Sequence, residues 1–479
     1  MQKTIISITQ AVPRQKHFEF ETPVSWKLKK GENWAIVGPN GAGKTIFSNL
    51  ISGKLPLKEG NISYCFSDGR PIYEQIRSAA FLDIYTMTDN KTTYYQQRWN
   101  SSDKENSPQV SDVLKRTGKM DKLYQFISHF EIEDILEKRL IYLSSGELRK
   151  FLIVNILLSE PKVLILDNPY IGLDAESRAL LNELLKKIIQ HNIQIILLLS
   201  DPDDIPDITT HILPVYRQSL LTACVREVFL QNEALKNYLF PPVFFQTELP
   251  LVKTDVPDYK NTLHLQNIHV KYGEKTILEN LCWTVEKGEK WVLSGPNGSG
   301  KSTLLSLVYA DNPQAYANAF YLFDKKRGSG ESIWDIKKRI GYVSPEIHLY
   351  FKSNQIAVQI VASGFFDSIG LYRKCSESQL KQALEWMEVF EISHLAEKQF
   401  SQLSFGEQRM VILVRAFVKN PELLILDEPM HGLDKSNKNK VSAILDVFCQ
   451  DNQKTLIYVT HYMHEVPGCV TKNLTLVKT

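Results

Sequence analysis

Two glycine-rich segments of the chain carry the residue pattern that binds phosphate groups. They run Gly38-Pro39-Asn40-Gly41-Ala42-Gly43-Lys44-Thr45 and Gly295-Pro296-Asn297-Gly298-Ser299-Gly300-Lys301-Ser302, with Thr303 following the second. Glycines of this spacing let backbone N–H groups at the start of a helix approach phosphate oxygens. The lysines are predicted to reach the terminal phosphates, and the hydroxyls of Thr45 and Ser302 are predicted to hold Mg²⁺. The pattern therefore predicts two phosphate-binding loops.

Carboxylates suited to metal binding and proton transfer follow each loop along the chain. Asp167 and Asp427 end apolar runs, so both are predicted to lie at strand ends where a carboxylate reaches Mg²⁺. Glu428 follows Asp427 and is predicted to orient or deprotonate the attacking water. Asn168 stands at that position in the first half, and an amide cannot take a proton. Losing a general base typically costs about 10²–10⁴ in rate, so the two sites are predicted to differ in chemistry.

These residues recur along the chain at a nearly constant separation. Lys44 and Lys301 are 257 positions apart, and Asp167 and Asp427 are 260 apart. A period of this length indicates duplication of a whole domain rather than a short solenoid repeat. The chain is therefore predicted to contain two domains that share one layout.

Each half must place its loop and its aspartate at the ends of buried strands. Short apolar runs typical of such strands lie at 34–38, 163–167, 291–295 and 423–427. Because helical patterns separate the runs, the sequence predicts an α/β fold with a mostly parallel sheet in each half. The predicted domains are 1–216 and 261–479. The proline-rich segment 217–260 between them is predicted to be an ordered connector.

Composition narrows the class of protein. The chain has 479 residues and a net charge of +2, which gives no direct nucleic-acid signal. Its six cysteines are scattered without a CxxC pair, so neither a zinc site nor a disulfide framework is predicted. No segment reaches the roughly 18 apolar residues of a membrane span, and the N-terminus does not resemble a signal peptide. The sequence therefore predicts a chain with no transmembrane segment.

Two segments of the form Leu-Ser-x-Gly-Glu, LSSGE at 143–147 and LSFGE at 403–407, each open an amphipathic stretch. A serine hydroxyl and free N–H groups at a helix start form an anion site. The alternative is a plain serine cap with glutamate three residues later, which is a common capping box. Matching positions downstream of two phosphate loops favour anion binding. The residues concerned are Ser144, Ser145, Gly146, Ser404, Phe405 and Gly406.

The phosphate loops, the LSxGE segments, LDEP with a following GLD, and the late VTH together resemble the ATP-binding cassette (ABC) ATPases over nearly the whole chain. The resemblance implies two P-loop NTPase domains in tandem, each with a mainly parallel sheet core, an antiparallel β subdomain and a helical subdomain. It implies ATP binding and hydrolysis with Mg²⁺. It also implies an intramolecular sandwich, in which each ATP lies between the loop of one cassette and the LSxGE segment of the other. The GLD aspartates, Asp174 and Asp434, would line the seam.

The same resemblance assigns two further residues to the second cassette. Tyr272, in VKYG, stands where the family stacks an aromatic ring on adenine, and His461, in VTH, stands at the switch histidine. We therefore predict one competent site, which combines Lys301, Glu428 and His461 with the LSSGE segment of the first cassette.

The first cassette departs from the family pattern at several positions. Gln15 stands where the aromatic is expected, with Phe18 and Phe20 as substitutes nearby. Asp201, in LSDP, replaces the histidine, and a carboxylate that faces the γ-phosphate is electrostatically unfavourable. The second predicted site combines the first phosphate loop with LSFGE, and we expect it to bind ATP but to turn it over slowly.

The family's Q-loop glutamine is missing from its usual place in both halves. Ser344, Pro345 and Glu346 stand there in the second half, and Gln96 or Gln97 is the candidate substitute in the first. In the family, that loop contacts Mg²⁺ and a partner's coupling element, so the usual interface with a membrane subunit is in question.

Within the family, the stretches at 311–318, 327–346 and 460–467 resemble twin-cassette proteins labelled as molybdenum-transport or photorepair ATP-binding proteins. This resemblance favours an ATPase that energises transport through separate membrane permease subunits. The chain would then lie in the cytoplasm or at the inner face of the membrane. The alternative is an ABC switch or regulatory factor that acts on the ribosome, on nucleic acid or on another cytosolic partner.

Overall fold

The structure is a computed structural model that describes most of the chain. The described residues are 3–81, 108–115, 126–140, 143, 145–242, 248–250, 258–273, 275–296, 298–345, 347, 351 and 354–477. The chain divides into two units: Met1–Pro242 with Asp434–Ser436, and Val243–Leu433 with Asn437–Thr479. The division falls inside the segment predicted as a connector, and the predicted domain boundaries stay a prediction.

The strands of the first unit form an antiparallel sheet and a mainly parallel sheet. They are β1 (Thr4–Pro13), β2 (Val24–Lys29), β3 (Trp34–Val37), β4 (Leu57–Tyr64), β5 (Ile76–Ala80), β6 (Val163–Asp167), β7 (Gln194–Leu199), β8 (His211–Tyr216), β9 (Ser219–Leu220) and β10 (Cys224–Val225). β1 pairs antiparallel with β2 and with β4. The other sheet has the order β10-β8-β3-β7-β6-β5, and its strands from β8 to β5 are parallel. β9 and β10 pair antiparallel with β8.

Helices of the first unit cover the parallel sheet and extend into the predicted connector. They are α1 (Lys44–Ile51), α2 (Ile72–Gln75), α3 (Val110–Lys115), α4 (Ser145–Leu157), α5 (Ala175–Gln190), α6 (Arg226–Gln231) and α7 (Glu233–Leu239). Phe229 on α6 and Leu239 on α7 are completely buried in the same hydrophobic cluster as α5. The start of the predicted connector therefore folds with the first unit.

The second unit repeats the division into two sheets. Its strands are β11 (Asn261–Tyr272), β12 (Lys275–Glu286), β13 (Lys290–Ser294), β14 (Ala319–Leu322), β15 (Lys325–Lys326), β16 (Ile340–Val343), β17 (Leu423–Asp427), β18 (Thr455–Val459) and β19 (Lys472–Thr475). The antiparallel sheet has the order β12-β11-β14-β15, and the parallel sheet has the order β16-β17-β18-β13-β19.

The helices that follow β13 include a group that packs together as a helical subdomain. The helices after β13 are α8 (Lys301–Val308), α9 (Ile333–Arg339), α10 (Ala357–Ala362), α11 (Glu377–Val389), α12 (Phe405–Phe417) and α13 (Lys435–Phe448). α10, α11 and α12 pack against one another around completely buried side chains such as Trp386 and Phe417. α12 begins with the LSFGE segment, so the subdomain directly positions a predicted site segment.

The strand that ends in Asp427 is buried on both faces. Leu423 and Ile425 contact one hydrophobic cluster, and Leu424 and Leu426 contact another. Since successive side chains of a strand point to opposite faces, a continuous apolar run is what a strand covered on both sides requires. The run therefore delivers Asp427 to the carboxyl end of the parallel sheet, where ligands bind in folds of this kind. β6 places Asp167 in the same way.

Both units thus combine a mainly parallel sheet, flanking helices and an antiparallel sheet, and the α/β class predicted from the sequence is confirmed. Among the described residues, none of the helices has the length and apolar character needed to cross a lipid bilayer.

Candidate functional site

The second phosphate loop joins β13 to α8 and wraps around its own lysine. Lys301 Nζ donates to the carbonyl oxygens of Gly295 at 2.7 Å and Pro296 at 3.0 Å. Gly300 directly precedes α8 with a φ of +94°, in the left-handed region. A Cβ at Gly300 would lie 2.8 Å from Leu278 Cδ2. Both the backbone conformation and the close packing therefore require glycine at this position.

The first phosphate loop has the same arrangement between β3 and α1. Lys44 Nζ donates to the carbonyl oxygens of Gly38 at 2.7 Å and Pro39 at 2.8 Å. Gly43 precedes α1 with a φ of +105°. Burial lowers the pKa of Lys44 to about 8, against the opposing effect of the Asp167 charge. Lys44 is therefore mostly protonated at pH 7 and suits an anionic ligand.

The second loop also contains a buried hydroxyl that the described residues do not satisfy. Ser299 is 2 % exposed, and its Oγ makes no hydrogen bond to any described residue. A buried polar atom in this state costs about 1–3 kcal/mol, so the site favours a polar ligand. At Gly41 and Gly298, an added Cβ would meet nothing within 4 Å, so open space borders both loops. Together with the lysines and the helix N-termini, these features fit a phosphate group.

The predicted base and the predicted switch histidine meet at the ends of β17 and β18. Glu428 Oε1 lies 3.0 Å from His461 Nε2. The backbone N of Glu428 donates to the Val459 carbonyl at 2.9 Å, which fixes the residue against the end of β18. Glu428 has a φ of +47°, a left-handed conformation that is strained for a residue with a long side chain. The structure therefore brings Glu428 and His461 together as a hydrogen-bonded pair.

The two adjacent carboxyl groups of the second unit titrate differently. Burial, and after it the charge of Glu428, raises the pKa of Asp427 to about 7. Burial also opposes ionisation of Glu428. The hydrogen bond from His461 and the charges of His431 and Lys301 outweigh it, and they hold the pKa of Glu428 below its ordinary value. Glu428 is therefore ionised at neutral pH, as a proton acceptor has to be.

Asn168 has the backbone conformation of Glu428 but a different side-chain chemistry. Its φ is also +47°, and its N donates to the Leu198 carbonyl at 2.9 Å. Its Oδ1 accepts from Ser200 N at 3.2 Å and from Ser200 Oγ at 2.8 Å. Its Nδ2 donates to Asp167 Oδ1 at 3.0 Å. The amide is therefore used for structural hydrogen bonds and offers no proton-accepting group.

The first unit nevertheless brings its predicted metal ligands together. Thr45 Oγ1 donates to Asp167 Oδ2 at 3.1 Å. Hydroxyl and carboxylate oxygens are the kind of ligand that Mg²⁺ prefers, so this pair fits the ion. Asp201 is 3 % exposed, and its Oδ1 accepts from Asp203 N at 3.1 Å to cap the 3₁₀ turn Pro202–Asp204. In place of a histidine, the first unit therefore has a capping carboxylate.

The predicted adenine-stacking residue is held by the segment that follows α8. Asn312 Nδ2 donates to the Tyr272 hydroxyl at 2.8 Å. Gln314 Nε2 donates to the Lys271 carbonyl at 3.0 Å, and Gln314 Oε1 accepts from Lys271 N at 3.3 Å. Side chains of the stretch 311–318 therefore fasten the end of β11, where Tyr272 lies. This stretch carried the subfamily resemblance, but the sequence did not indicate its contact with Tyr272.

In the first unit, the structure places Phe20 at the phosphate loop. A Cβ at Gly43 would lie 3.4 Å from Phe20 Cε1, and the Phe20 ring packs edge-on against Phe47 of α1 at 6.3 Å. Gln15 is exposed and precedes the 3₁₀ turn Lys16–Phe18. Phe20, one of the two phenylalanines considered as substitutes, thus packs beside the loop glycine that precedes α1.

The LSFGE segment starts α12 with a capping box. Ser404 Oγ accepts from Glu407 N at 3.4 Å, and Glu407 Oε2 accepts from Ser404 N at 2.8 Å. The Phe405 ring lies 6.0 Å from the His431 ring, and a Cβ at Gly432 would lie 2.3 Å from Phe405 Cε1. The capping role that the sequence suggested as an alternative is therefore present, and anion binding at LSxGE stays a prediction.

Some predicted residues lie outside the described part of the chain. They are Gln96, Gln97, Ser144, Asn297 and Glu346. Ser145 begins α4, and a Cβ added to Gly146 would lie 3.0 Å from Ser177 Oγ on α5. The LSSGE segment therefore also begins a helix, as LSFGE does.

A buried arginine that the sequence reasoning missed connects the segments of the second unit's site. Arg409 on α12 is completely buried, and its guanidinium donates to the carbonyls of Ser344 (3.0 Å), Asp427 (3.2 Å), Glu428 (2.7 Å) and Pro429 (3.3 Å). Burial lowers the pKa of Arg409 to about 10, opposed by the charges of Glu428 and Asp427, so the guanidinium stays charged at neutral pH. One side chain therefore ties the LSFGE helix to the Q-loop position and to the residue after β17.

The internal repeat contained the signal for this arginine. Arg149 lies 260 positions before Arg409, at the matching position after LSSGE. In the first unit, Arg149 donates to the Ile171 carbonyl and lies over the Phe81 ring, 5.7 Å from its centroid. The repeat thus marked both arginines as a pair, although their hydrogen-bond partners differ between the two units.

Both loops and both strand-end aspartates lie within matches to one protein family. The family model described as ABC transporter matches residues 22–171 and 278–431. The chain therefore belongs to the ABC transporter ATP-binding family. It is an ATPase with two cassettes in tandem, and the predicted family is confirmed.

Relatives of similar length align with nearly the whole chain, across both matched cassettes. The ABC transporter ATP-binding protein ModF of Escherichia coli (strain K12) is 37% identical over 463 residues, which cover 94% of this chain and 92% of the relative. An uncharacterized ABC transporter ATP-binding protein, C323.04, of Schizosaccharomyces pombe is 30% identical over 465 residues, covering 94% of this chain and 93% of the relative.

Solved structures share the tandem fold at low identity. A complex of the archaeal ribosome recycling factor aABCE1 with the stalk protein aP1 matches with a TM-score of 0.59 and 18% identity, covering 97% of this chain and 87% of that one. A model of ribosome-bound archaeal Pelota and ABCE1 matches with a TM-score of 0.62 and 20% identity. The match covers 93% of this chain and 72% of that one. Likeness at this level of identity establishes the fold and nothing about the partner.

We predict that Arg409→Lys lowers ATP turnover more than ATP binding. Lysine keeps the charge but cannot donate to several carbonyls from a rigid fork, so the end of β17 shifts. A displacement of about 1 Å can cost on the order of 10²-fold in rate, and we expect kcat to fall by at least about tenfold. Steady-state hydrolysis gives kcat, and fluorescent-nucleotide titration gives Kd.

Arg149→Lys is the matched control, because it alters the same position in the cassette with Asn168. We expect it to change kcat less than Arg409→Lys does. If Arg409→Lys weakened nucleotide binding as much as turnover, with an unchanged thermal unfolding midpoint, the positioning role of Arg409 would be wrong.

Proposed function

We propose that the chain hydrolyses ATP mainly at one of two unequal sites, and that this hydrolysis energises transport through separate membrane permease subunits. The observation that carries the first part is the difference between two equivalent positions. Glu428 forms a hydrogen-bonded pair with His461 at 3.0 Å, whereas the Asn168 amide is bonded to Ser200 and Asp167.

In the hydrolysing site, the residues of the second cassette have distinct proposed roles. Lys301 binds the terminal phosphates, and Tyr272 stacks on the adenine ring. Glu428 accepts a proton from the attacking water or orients it, and His461 holds Glu428 while contacting the γ-phosphate. Ser302 and Asp427 would hold Mg²⁺, which neutralises charge on the phosphate oxygens.

The slow site uses the first cassette's loop. Lys44 binds phosphate, and Thr45 and Asp167 would hold Mg²⁺, which agrees with their 3.1 Å hydrogen bond. Neither Asn168 nor the capping carboxylate Asp201 supplies the proton acceptor or the imidazole of the other site. We therefore infer that ATP remains bound here much longer than in the hydrolysing site.

We further propose that each site is completed by the LSxGE segment of the opposite cassette. Ser144, Ser145 and Gly146 would complete the hydrolysing site, and Ser404, Phe405 and Gly406 the slow one. Family membership supports this pairing, since the ABC family closes its cassettes in that way. Both segments also begin helices, whose N–H groups suit an anion.

The transport role is supported by relatives rather than by site geometry. The full-length relative from Escherichia coli is called an ABC transporter ATP-binding protein, and a similar name is given to the relative from Schizosaccharomyces pombe. The altered Q-loop position, with Ser344 bonded through its carbonyl to Arg409, indicates that a permease would be contacted differently from the family's usual mode.

We predict that Glu428→Gln reduces ATP turnover by about 10²–10⁴, because glutamine keeps the shape of the side chain but cannot accept a proton. Asn168→Ala is the matched variant at the equivalent position, and we expect less than about a twofold change, because no proton passes through it. Phosphate-release kinetics at saturating ATP give both rates. Comparable losses in the two variants would contradict a single hydrolysing site.

Substitution of the first serine in each LSxGE segment tests whether the two sites are composite. Ser144→Arg should lower turnover by about 10²-fold even though Glu428 is in the other cassette, since a bulky cation displaces the γ-phosphate contact. Ser404→Arg should have the smaller effect, because it belongs to the slow site. Phosphate release and nucleotide retention are measured for both. A larger loss from Ser404→Arg would reverse the proposed assignment.

The partner can be identified by purifying the Glu428→Gln variant in its ATP-bound state. We expect affinity purification from detergent-solubilised cells to recover membrane permease proteins, and Lys301→Ala, which weakens phosphate binding, to lose them. Quantitative mass spectrometry compares the two samples. Recovery of ribosomes, or of a cytosolic partner without membrane protein, would replace transport by the alternative of an ABC regulatory factor.

A further inference from the structure

Side-chain amides bind one edge of the last residues of β11. β14 pairs with β11 over 263–266. Beyond this ladder, Asn318 Oδ1 accepts from His269 N at 2.8 Å, and Asn318 Nδ2 donates to the His269 carbonyl at 3.1 Å. Gln314 bonds to both backbone groups of Lys271 in the same way. On this edge, side chains therefore hold the part of β11 that a neighbouring strand would otherwise hold.

A third amide joins the last residue of β11 to the helix that follows the phosphate loop. Asn312 Nδ2 donates to the Tyr272 hydroxyl at 2.8 Å and to Ser306 Oγ at 3.2 Å. Ser306 lies on α8, and its Oγ donates to the Thr303 carbonyl at 2.7 Å. Because α8 begins at Lys301, a continuous set of hydrogen bonds runs from the tyrosine ring to the helix that carries the phosphate-binding lysine.

The orientation of the Asn312 amide is itself fixed. Asn312 is buried, and its Oδ1 accepts from Gln314 N at 3.0 Å to cap the 3₁₀ turn Pro313–Ala317. An amide oxygen can only accept and an amide nitrogen can only donate, so this bond to a backbone N–H turns Nδ2 toward the tyrosine. The Tyr272 hydroxyl is therefore held by a donor that is held in place by its own turn.

The internal repeat provides an independent comparison for Asn312. Leu55 lies 257 positions before it, which is the separation of the two phosphate-loop lysines, and a proline follows in both places. The local turn is also the same. The N–H of the preceding residue, Asp311 or Lys54, donates to the carbonyl five residues earlier, at 3.0 Å and 2.9 Å respectively. Asn312 and Leu55 therefore occupy equivalent positions in the two units.

The first cassette has neither partner of this hydrogen bond. Gln15 lies 257 positions before Tyr272, and the side chain of Leu55 has no hydrogen-bonding group. In the first unit, β4 pairs with β1 as far as Leu57, so backbone pairing extends where the second unit uses amides. The phenol and the amide that binds it thus occur together in the second cassette and are replaced together in the first.

We propose that Asn312 is a positioning residue that holds the Tyr272 ring for nucleobase stacking and so sets the affinity of the second cassette for the base of its nucleotide. The inference rests on the proposed stacking role of Tyr272. Without the bond, the ring has to lose rotational freedom when a nucleotide binds, which weakens binding. A stacked ring contacts the face of a base rather than its hydrogen-bonding edge, so Asn312 affects ATP and GTP equally.

Asn312→Ser tests this role, because serine still caps the 3₁₀ turn but is too short to reach Tyr272. We expect KM for ATP and for GTP to rise by about 2–10-fold each, with kcat within about twofold. The inhibition constant of inorganic tripolyphosphate, which has no base, should not change. Asn232→Ser is the matched control, since Asn232 caps α7 in the first unit, and we expect it to leave these constants unchanged. Steady-state kinetics and thermal unfolding midpoints are measured for each variant.

Variants of the tyrosine separate this inference from the proposed function. Tyr272→Phe removes the same hydrogen bond, so we expect it to raise KM as Asn312→Ser does, with no further increase in the double variant. If Tyr272→Ala raised KM and Asn312→Ser did not, the positioning role would be wrong and stacking would stand. An unchanged KM in Tyr272→Ala would overturn both, but not the Glu428 assignment. A tripolyphosphate inhibition constant that rose with KM would also overturn the positioning role, because the phosphate loop would then have moved.

Discussion

A buried positive charge at the end of the central strand organises the second cassette. The carbonyls of Ser344, Asp427 and Pro429 make buried hydrogen bonds with Arg409, and the Glu428 carbonyl makes a partly buried one. Arg409 supplies donors to all four from one rigid side chain, and each bond avoids a penalty of about 1–3 kcal/mol. The position of the proposed base is therefore a consequence of how α12 packs, because the helix that begins at LSFGE also carries this arginine.

The two cassettes show how one backbone supports two chemistries. The residue after β6 and the residue after β17 have the same φ of +47° and the same backbone bond to the neighbouring strand. At Glu428, the side chain is ionised and faces His461; at Asn168, the amide is consumed by Ser200 and Asp167. The two positions thus share a backbone conformation and differ in side-chain chemistry.

Much of the site could be predicted because its residues occupy fixed positions in local patterns. A glycine-rich loop between a strand and a helix can be recognised from a short run of consecutive residues. The same is true of an aspartate at the end of an apolar run. Arg409 could not be assigned in this way, since its partners are backbone carbonyls that leave no trace in side-chain identity. The same holds for Asn312, whose bond to Tyr272 joins residues 40 positions apart. Placing Phe20 beside the phosphate loop also required the actual packing around Gly43.

The shared left-handed conformation after β6 and β17 has a further consequence for the balance between folding and activity. Asparagine adopts positive φ several-fold more readily than glutamate, because its short amide interacts with its own backbone. Exchange of the proposed base for asparagine at this turn therefore lowers backbone strain, while retention of glutamate maintains it. With hydrolysis proposed at one site only, relief of this strain favours asparagine in the other cassette, and the proposed hydrolysing cassette keeps the more strained residue.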